Sequence, residues 1–215
     1  MKLGLVGGTG KEGSALAVRW AQAGHRVVLG SRTKERAEAR AQELSQARGV
    51  TLEGAANEDA CRAAEVVVLC VPYDAHAATL GALKDALRDR VLVDLTVPLK
   101  PPRVRQVHLP KGGSAAQETA ALVDASTRVV AAFHHVSSVA LDAGHGEGSD
   151  VLVCGDAADA KDLVIQLAQD LGMRGLDAGS LANAVALESL TPVLLYLNKR
   201  YGVRDAGIVV TGLKP

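Results

Sequence analysis

The six residues Gly8-Thr9-Gly10-Lys11-Glu12-Gly13 constrain this chain more than any other stretch. They follow the apolar run Lys2–Val6 and open an alanine-rich segment, Gly10–Ala23, that reads as a helix. A G-x-G-x-x-G string between a strand and a helix has a physical reading at each glycine: Gly8 for a tight turn, Gly10 for close approach of the backbone to a pyrophosphate, Gly13 for close packing of helix on strand. The amides at the helix start then face the phosphates with the positive end of the helix dipole. The context on both sides predicts a βαβ unit that binds a dinucleotide through Gly8, Thr9, Gly10, Lys11, Glu12 and Gly13.

The rest of the chain repeats that alternation. Strands are expected at Lys2–Val6, Arg26–Leu29, Val50–Glu53, Val66–Val71, Val91–Leu95, Val129–Phe133, Val151–Cys154 and Arg174–Leu176. Helices are expected at Gly10–Ala23, Lys34–Ala47, Asp59–Ala63, Ala75–Leu87, Ala115–Ala125, Asp156–Leu171 and Ser180–Tyr201. Several strands are apolar throughout, which indicates burial on both faces of a parallel sheet. The fold class is therefore α/β: a Rossmann-like, doubly wound, mostly parallel sheet with a small C-terminal extension of helix and strand. Residues 1–135 form the expected NADP-binding Rossmann domain. Residues 136–215 form the expected smaller C-terminal α/β part. Two stretches read as loops: Pro98–Gly113, with four prolines around Lys100, Arg103 and Arg105, and the glycine-rich Asp142–Asp150.

The end of the second strand distinguishes NADP from NAD. An NAD site carries Asp or Glu there, about 20 residues past the glycines, to hold the ribose 2′-hydroxyl. This chain has Gly30-Ser31-Arg32-Thr33-Lys34-Glu35-Arg36, with no acid at the strand end. A hydroxyl and a planar guanidinium suit a 2′-phosphate, which a carboxylate would repel. Arg36 comes one helical turn after Arg32 and can close the same pocket. A merely solvated run of cations at a helix N-terminus would oppose the dipole.

At this point the sequence resembles a known family, the NADPH-dependent reductases of coenzyme F420, or F420-dependent NADP oxidoreductases. The resemblance rests on Gly7-Gly8-Thr9-Gly10, Gly30-Ser31-Arg32, Asn57-Glu58-Asp59-Ala60, Val71-Pro72 and Val153-Cys154-Gly155-Asp156. Its most specific part is Asp177-Ala178-Gly179-Ser180-Leu181 with Glu188-Ser189-Leu190-Thr191-Pro192. The resemblance implies that Thr9, Ser31, Arg32 and Arg36 hold the 2′-phosphate and that Val71 and Pro72 line the nicotinamide side. It also implies that His134 sits beside a deazaflavin as the catalytic residue, hydrogen-bonded to the acceptor ring. The implied reaction moves hydride between NADP(H) and coenzyme F420, with a flavin as the second candidate acceptor. In place of the family's usual Thr–Ile–Pro–Ala-like run after that histidine stands His135-Val136-Ser137-Ser138. Related cytosolic domains of membrane ferric reductases use this fold with a flavin. A different class of reading, a non-catalytic NADP(H) sensor, predicts a closed cleft.

Composition excludes other classes. Basic and acidic residues balance at 24 each and aromatics make up 2%, so neither a basic footprint nor a base-stacking platform for nucleic acid is present. Cys61, Cys70 and Cys154 form no C-x-x-C pair, and His76, His108 and His145 share no ligand spacing, so neither a disulfide framework nor a metal site is expected. The expected partner is a small-molecule redox acceptor. With no room for a targeting segment before the glycine loop and no apolar stretch of membrane length, the expected location is cytoplasmic, without a membrane partner. The helix Ser180–Tyr201 carries apolar residues on too much of its surface for one wet face, which suggests a homodimer.

The missing acid and the Ser31/Arg32/Arg36 cluster predict tighter binding of NADPH than of NADH. Calorimetric titration of Arg32→Ala should show NADPH affinity reduced roughly 10- to 150-fold. Equal NADH and NADPH affinities in the wild type would contradict this assignment.

Overall fold

In the computed structural model, which describes residues 1–144 and 148–213, eight strands form one continuous sheet in the order β3-β2-β1-β4-β5-β6-β7-β8. The strands are β1 (Lys2–Val6), β2 (Arg26–Ser31), β3 (Leu52–Ala56), β4 (Val66–Leu69), β5 (Val91–Asp94), β6 (Arg128–Ala131), β7 (Asp150–Gly155) and β8 (Arg174–Asp177). Every neighbouring pair is parallel except β6 and β7, which run antiparallel. The helices are α1 (Lys11–Gln22), α2 (Lys34–Arg48), α3 (Asn57–Ala63), α4 (Tyr73–Leu83), α5 (Ala115–Leu122), α6 (Ser138–Asp142), α7 (Ala158–Gln169) and α8 (Ala184–Tyr201).

Alternation along the strands divides the core in two. Leu3, Leu5, Val66, Val68, Val91 and Val93 point to one face, where Leu16 and Trp20 of α1 and Val164 and Leu167 of α7 cover them. Val67, Leu69, Leu92, Val129 and Ala131 point to the other, against Cys61 of α3, Leu80 of α4, Ala116 of α5 and Leu187 of α8. Both faces of β4 and β5 are buried, which is why those strands are apolar throughout. The chain winds from β1 to β2 and β3 on one side, then crosses to β4 on the other. The carboxyl ends of β1 and β4 therefore flank a topological switch point, where ligands bind in open α/β sheets.

All eight expected strands form, and their bounds shift where packing overrides local propensity. The third begins at Leu52 and runs through Gly54-Ala55-Ala56, residues with little preference for strand. Gly54 is required there, because a Cβ would lie 2.3 Å from the backbone nitrogen of Glu38 in α2. The expected helix Ser180–Tyr201 divides into a 3-10 turn at Leu181–Asn183 and α8. The short helix α6 was not foreseen; Ser137 caps it by accepting a hydrogen bond from the Ala140 amide. Pro98–Gly113 is free of strand and helix, as expected. The other expected loop, Asp142–Asp150, falls partly outside the described residues, as does His145.

One expectation requires correction. The segment Leu181–Tyr201, 21 residues containing an 18-residue window of mean hydropathy 1.2, is long and apolar enough to cross a bilayer on length and composition. In the fold it packs against the body of the protein along one face, with about a third of that window buried. Leu187 and Leu194 are buried, and Glu188 accepts hydrogen bonds from the first amides of α5, Ala115 at 2.8 Å and Ala116 at 3.0 Å.

Trp20 ties the two ends of the chain together. It is fully buried, donates from Nε1 to the Leu167 carbonyl at 3.0 Å, and meets Phe133 edge to face with ring centroids 5.5 Å apart. Trp20→Ala should cost about 3–5 kcal/mol, measured by urea unfolding. A loss below about 1 kcal/mol, the worth of a single hydrogen bond, would show that this contact does not anchor α1 to α7.

Candidate active site

The glycine loop is shaped by two different constraints. The left-handed turn falls on Gly7, with φ at 69°, and not on Gly8, to which the sequence pattern assigned it. Gly8 is held instead by packing: a Cβ there would lie 2.8 Å from the side chains of Leu5 and Leu29. It sits behind the loop and does not line the cleft above it. A Cβ on Gly13 would fall 2.7 Å from the Gly8 Cα, so the start of α1 can approach the glycine loop this closely only with glycine at position 13. Gly10 has open space in front of it, the nearest atom to a Cβ being the Gly7 carbonyl oxygen at 3.7 Å. The freedom at Gly10 is thus on the cleft side, where a phosphate backbone needs it.

The cleft over this loop has a volume of about 540 Å³. Thr9, Gly10, Lys11, Glu12 and Gly13 form its floor, and Ser31, Arg32 and Arg36 close the end nearest β2. Val71 and Pro72, just beyond β4, close the opposite end with Cys70 and Leu95. Every expected nucleotide-site residue except Gly8 is thereby brought to one cavity. Lys34 stays out of it and pairs with Glu38 at 3.6 Å, one helical turn away. Three further lining residues carried no assigned role. Asn57, the first residue of α3, accepts a hydrogen bond from the Gly7 amide at 3.1 Å and so holds the turn, while Ala75 and Thr79 lie one turn apart on α4. The string Asn57-Glu58-Asp59-Ala60 was conspicuous in the sequence, but the contact of Asn57 with Gly7 spans fifty residues.

A second cavity of about 340 Å³ adjoins the first, and Glu12 lines both. Its wall includes Leu99, His134, His135, Ser138, Thr191, Leu194 and Arg204. Phe133, at the exit of β6, adopts a left-handed φ of 65°, rare for a bulky residue and costly unless its surroundings enforce it. The edge-on contact with Trp20 and full burial of Phe133 supply that enforcement, and the turn swings the two histidines into the cavity wall. Thr191 of α8 then fixes the chain by donating to the His134 carbonyl at 2.7 Å.

The two histidines differ in chemistry. His135 is buried, with Nε2 3.0 Å from the Asp150 carbonyl, and bridges to β7. His134 is 6% exposed and has no hydrogen-bond partner at either ring nitrogen. Burial pushes its imidazole down to about 4, in spite of the nearby Asp94 carboxylate, so the ring is neutral at physiological pH. Two buried, unpartnered nitrogens beside a cavity are costly, and they leave the ring free to hydrogen-bond a polar group placed there. Asp94 lies at the end of β5 in a buried network with His76 at 3.1 Å and Thr119. Burial raises the Asp94 carboxyl, but the hydrogen bonds and charge of His76 and the hydroxyl of Thr119 outweigh it and hold the group low.

Among the described residues, no three His, Cys, Asp or Glu side chains group as metal ligands. Burial raises the Cys61, Cys70 and Cys154 thiols, leaving them protonated. Of the loop Pro98–Gly113, only Leu99 reaches the second cavity; Lys100, Arg103 and Arg105 line neither cavity.

A doubly wound sheet with a glycine-floored cleft at its switch point is the architecture of Rossmann-type oxidoreductases. Residues 2–98 match the family model described as NADP oxidoreductase, coenzyme F420-dependent. An F420-dependent NADP reductase from Methanothermobacter thermautotrophicus is 40% identical over 99% of this chain and 96% of its own length. The chain belongs to this F420-dependent NADP oxidoreductase family. The metalloreductase STEAP3 of Rattus norvegicus is 35% identical over 90% of this chain, which spans 37% of that longer protein. A solved structure from Arthrobacter sp. FB24, described as a candidate F420-dependent NADP reductase, shares the fold with a TM-score of 0.83 at 24% identity, covering 98% of this chain and 99% of that one.

The contrast between the glycines is testable. Gly10→Val should abolish binding of both nicotinamide nucleotides while leaving the melting temperature nearly unchanged, because its side chain enters only the cleft. Gly13→Ala should instead lower stability by about 1–3 kcal/mol through overpacking. Calorimetric titration and thermal melts of the two variants distinguish the effects. Near-normal NADPH affinity in Gly10→Val would mean that the loop does not cradle the pyrophosphate.

Proposed function

We propose that this protein transfers hydride between NADP(H) and coenzyme F420, with the nucleotide in the larger cleft and the deazaflavin in the adjoining cavity. The observation that carries this reading is the meeting of the two cavities at Glu12, with Val71 and Pro72 on one side and His134 on the other. Ser31, Arg32 and Arg36 would hold the 2′-phosphate, and Thr9, Gly10 and the first amides of α1 the pyrophosphate. Residues 1–135 act as the nucleotide half, and residues 136–215 complete the acceptor half.

The bound cofactors supply the redox chemistry, one ring giving hydride directly to the other. What the protein contributes is alignment. Holding two reacting rings about 3–3.5 Å apart replaces a bimolecular encounter with an oriented one. His134, neutral and without a protein partner, has a ring nitrogen free to hydrogen-bond the acceptor. Val71, Pro72 and Leu95 exclude water from the nicotinamide end of the cleft. The open cleft favours an enzyme over a closed sensor, and the likeness to a metalloreductase keeps a flavin-dependent reductase as the second reading. The same proposal takes the protein as a cytoplasmic homodimer without membrane or nucleic-acid partners. Val193 and Tyr196, exposed on the outer face of α8, support the dimer contact.

With C4-deuterated NADPH and F420, deuterium should appear on the acceptor carbon. His134→Ala should lower kcat about 100-fold while changing NADPH affinity less than threefold, since His134 lies on the acceptor side. Solvent hydrogen appearing at that carbon in place of the label would exclude direct transfer.

A further inference from the structure

Hydride alone does not balance the reaction between a nicotinamide and a deazaflavin. The C4–H bond of the dihydronicotinamide breaks with its electron pair, and a C–H bond forms on the acceptor carbon. The reduced acceptor then needs one proton on a ring nitrogen, and the reverse reaction sheds that proton. His134 cannot supply it at neutral pH, because its imidazole carries no extra proton there.

Glu12 is placed for this task. It lines both the nucleotide cleft and the acceptor cavity, and its Oε1 is buried with no hydrogen-bond partner. We propose that Glu12 is the proton-carrying group of the site, giving its carboxyl proton to the acceptor as hydride leaves the nicotinamide and taking it back in the reverse direction. The Oε–H bond breaks, an N–H bond forms on the acceptor, and the carboxylate regains a proton from solvent through the open cleft. This inference rests on the hydride-transfer reading above.

The surroundings leave Glu12 poised. Burial pushes its carboxyl up to about 7; hydrogen bonding from the Ser138 hydroxyl and amide partly opposes that rise, and the Asp142 carboxylate on α6 adds to it. The other charged and titratable groups around the two cavities are Lys11, Arg32, Arg36, Cys70, His134, His135 and Arg204. Burial takes Cys70 upward and His134 downward, out of the range between pH 6 and 8, and displaces His135 downward as well. Oxidation also couples to this group through charge. The oxidised nicotinamide ring is a cation, which stabilises a carboxylate in the same cleft and drives proton release as hydride departs.

Titration calorimetry of the wild-type protein with NADP⁺ and NADPH, in two buffers of different ionisation heat, tests this without turnover. The phosphates are common to both ligands, so their contributions cancel. At pH 7, NADP⁺ should release about half a proton more than NADPH. The ratio of NADP⁺ to NADPH affinity should rise about five- to tenfold between pH 6 and pH 8. Glu12→Gln should flatten that ratio and lower kcat with F420 about 100-fold or more. Binding of both nucleotides with equal proton release and a pH-independent ratio would overturn the role of Glu12 and leave the hydride reading standing. Failure of either nucleotide to bind would overturn that reading and the inference with it.

Discussion

The contact on which the rest depends is the near-touch of α1 and the glycine loop, Gly13 against Gly8. A methyl group on Gly13 would strike the Gly8 backbone and push the helix away, and one on Gly8 would strike Leu5 and Leu29 behind the loop. With both absent, α1 starts close above the sheet, and Gly7 turns the chain sharply enough for the first helical amides to face the cleft. Asn57 reinforces the turn from the other side of the sequence by accepting from the Gly7 amide. The nucleotide cleft is therefore a backbone construction, rigid because it is packed from behind by Leu5 and Leu29.

The acceptor cavity is built differently, from contacts between distant parts of the chain. Trp20 of α1 holds Phe133, whose left-handed backbone turns His134 and His135 into the cavity wall. Thr191 of α8 fixes the His134 carbonyl, and Glu188, one turn earlier, fastens α8 to the start of α5. Asp150 accepts both Arg174 at 2.8 Å and the Val210 amide at 2.6 Å, drawing the C-terminal segment across β7 and β8. Arg204 and Ala206 of that segment thereby join the cavity wall. Thr191 and Glu188 belong to the most distinctive string in the sequence, and each has a structural task.

What was legible in the sequence follows from how local each signal is. The parallel sheet could be read because apolar runs such as Val66–Leu69 record burial on both faces. The phosphate end could be read because Ser31, Arg32 and Arg36 occupy one strand end and the next helical turn. The turn residue was assigned to Gly8 when Gly7 adopts it, since the motif gives spacing and not dihedral angles. Asn57, Ala75 and Thr79 escaped notice because their roles arise from contacts across the fold.

The central claim is that the two cavities hold two rings face to face. A crystal structure of the protein with NADP⁺ and F420 bound together tests it most directly. Nicotinamide C4 should lie within about 3–3.5 Å of the deazaflavin carbon, with His134 and Glu12 both in contact with the acceptor. A deazaflavin bound outside the cavity of His134 and Thr191, or a nicotinamide turned away from Val71 and Pro72, would contradict it.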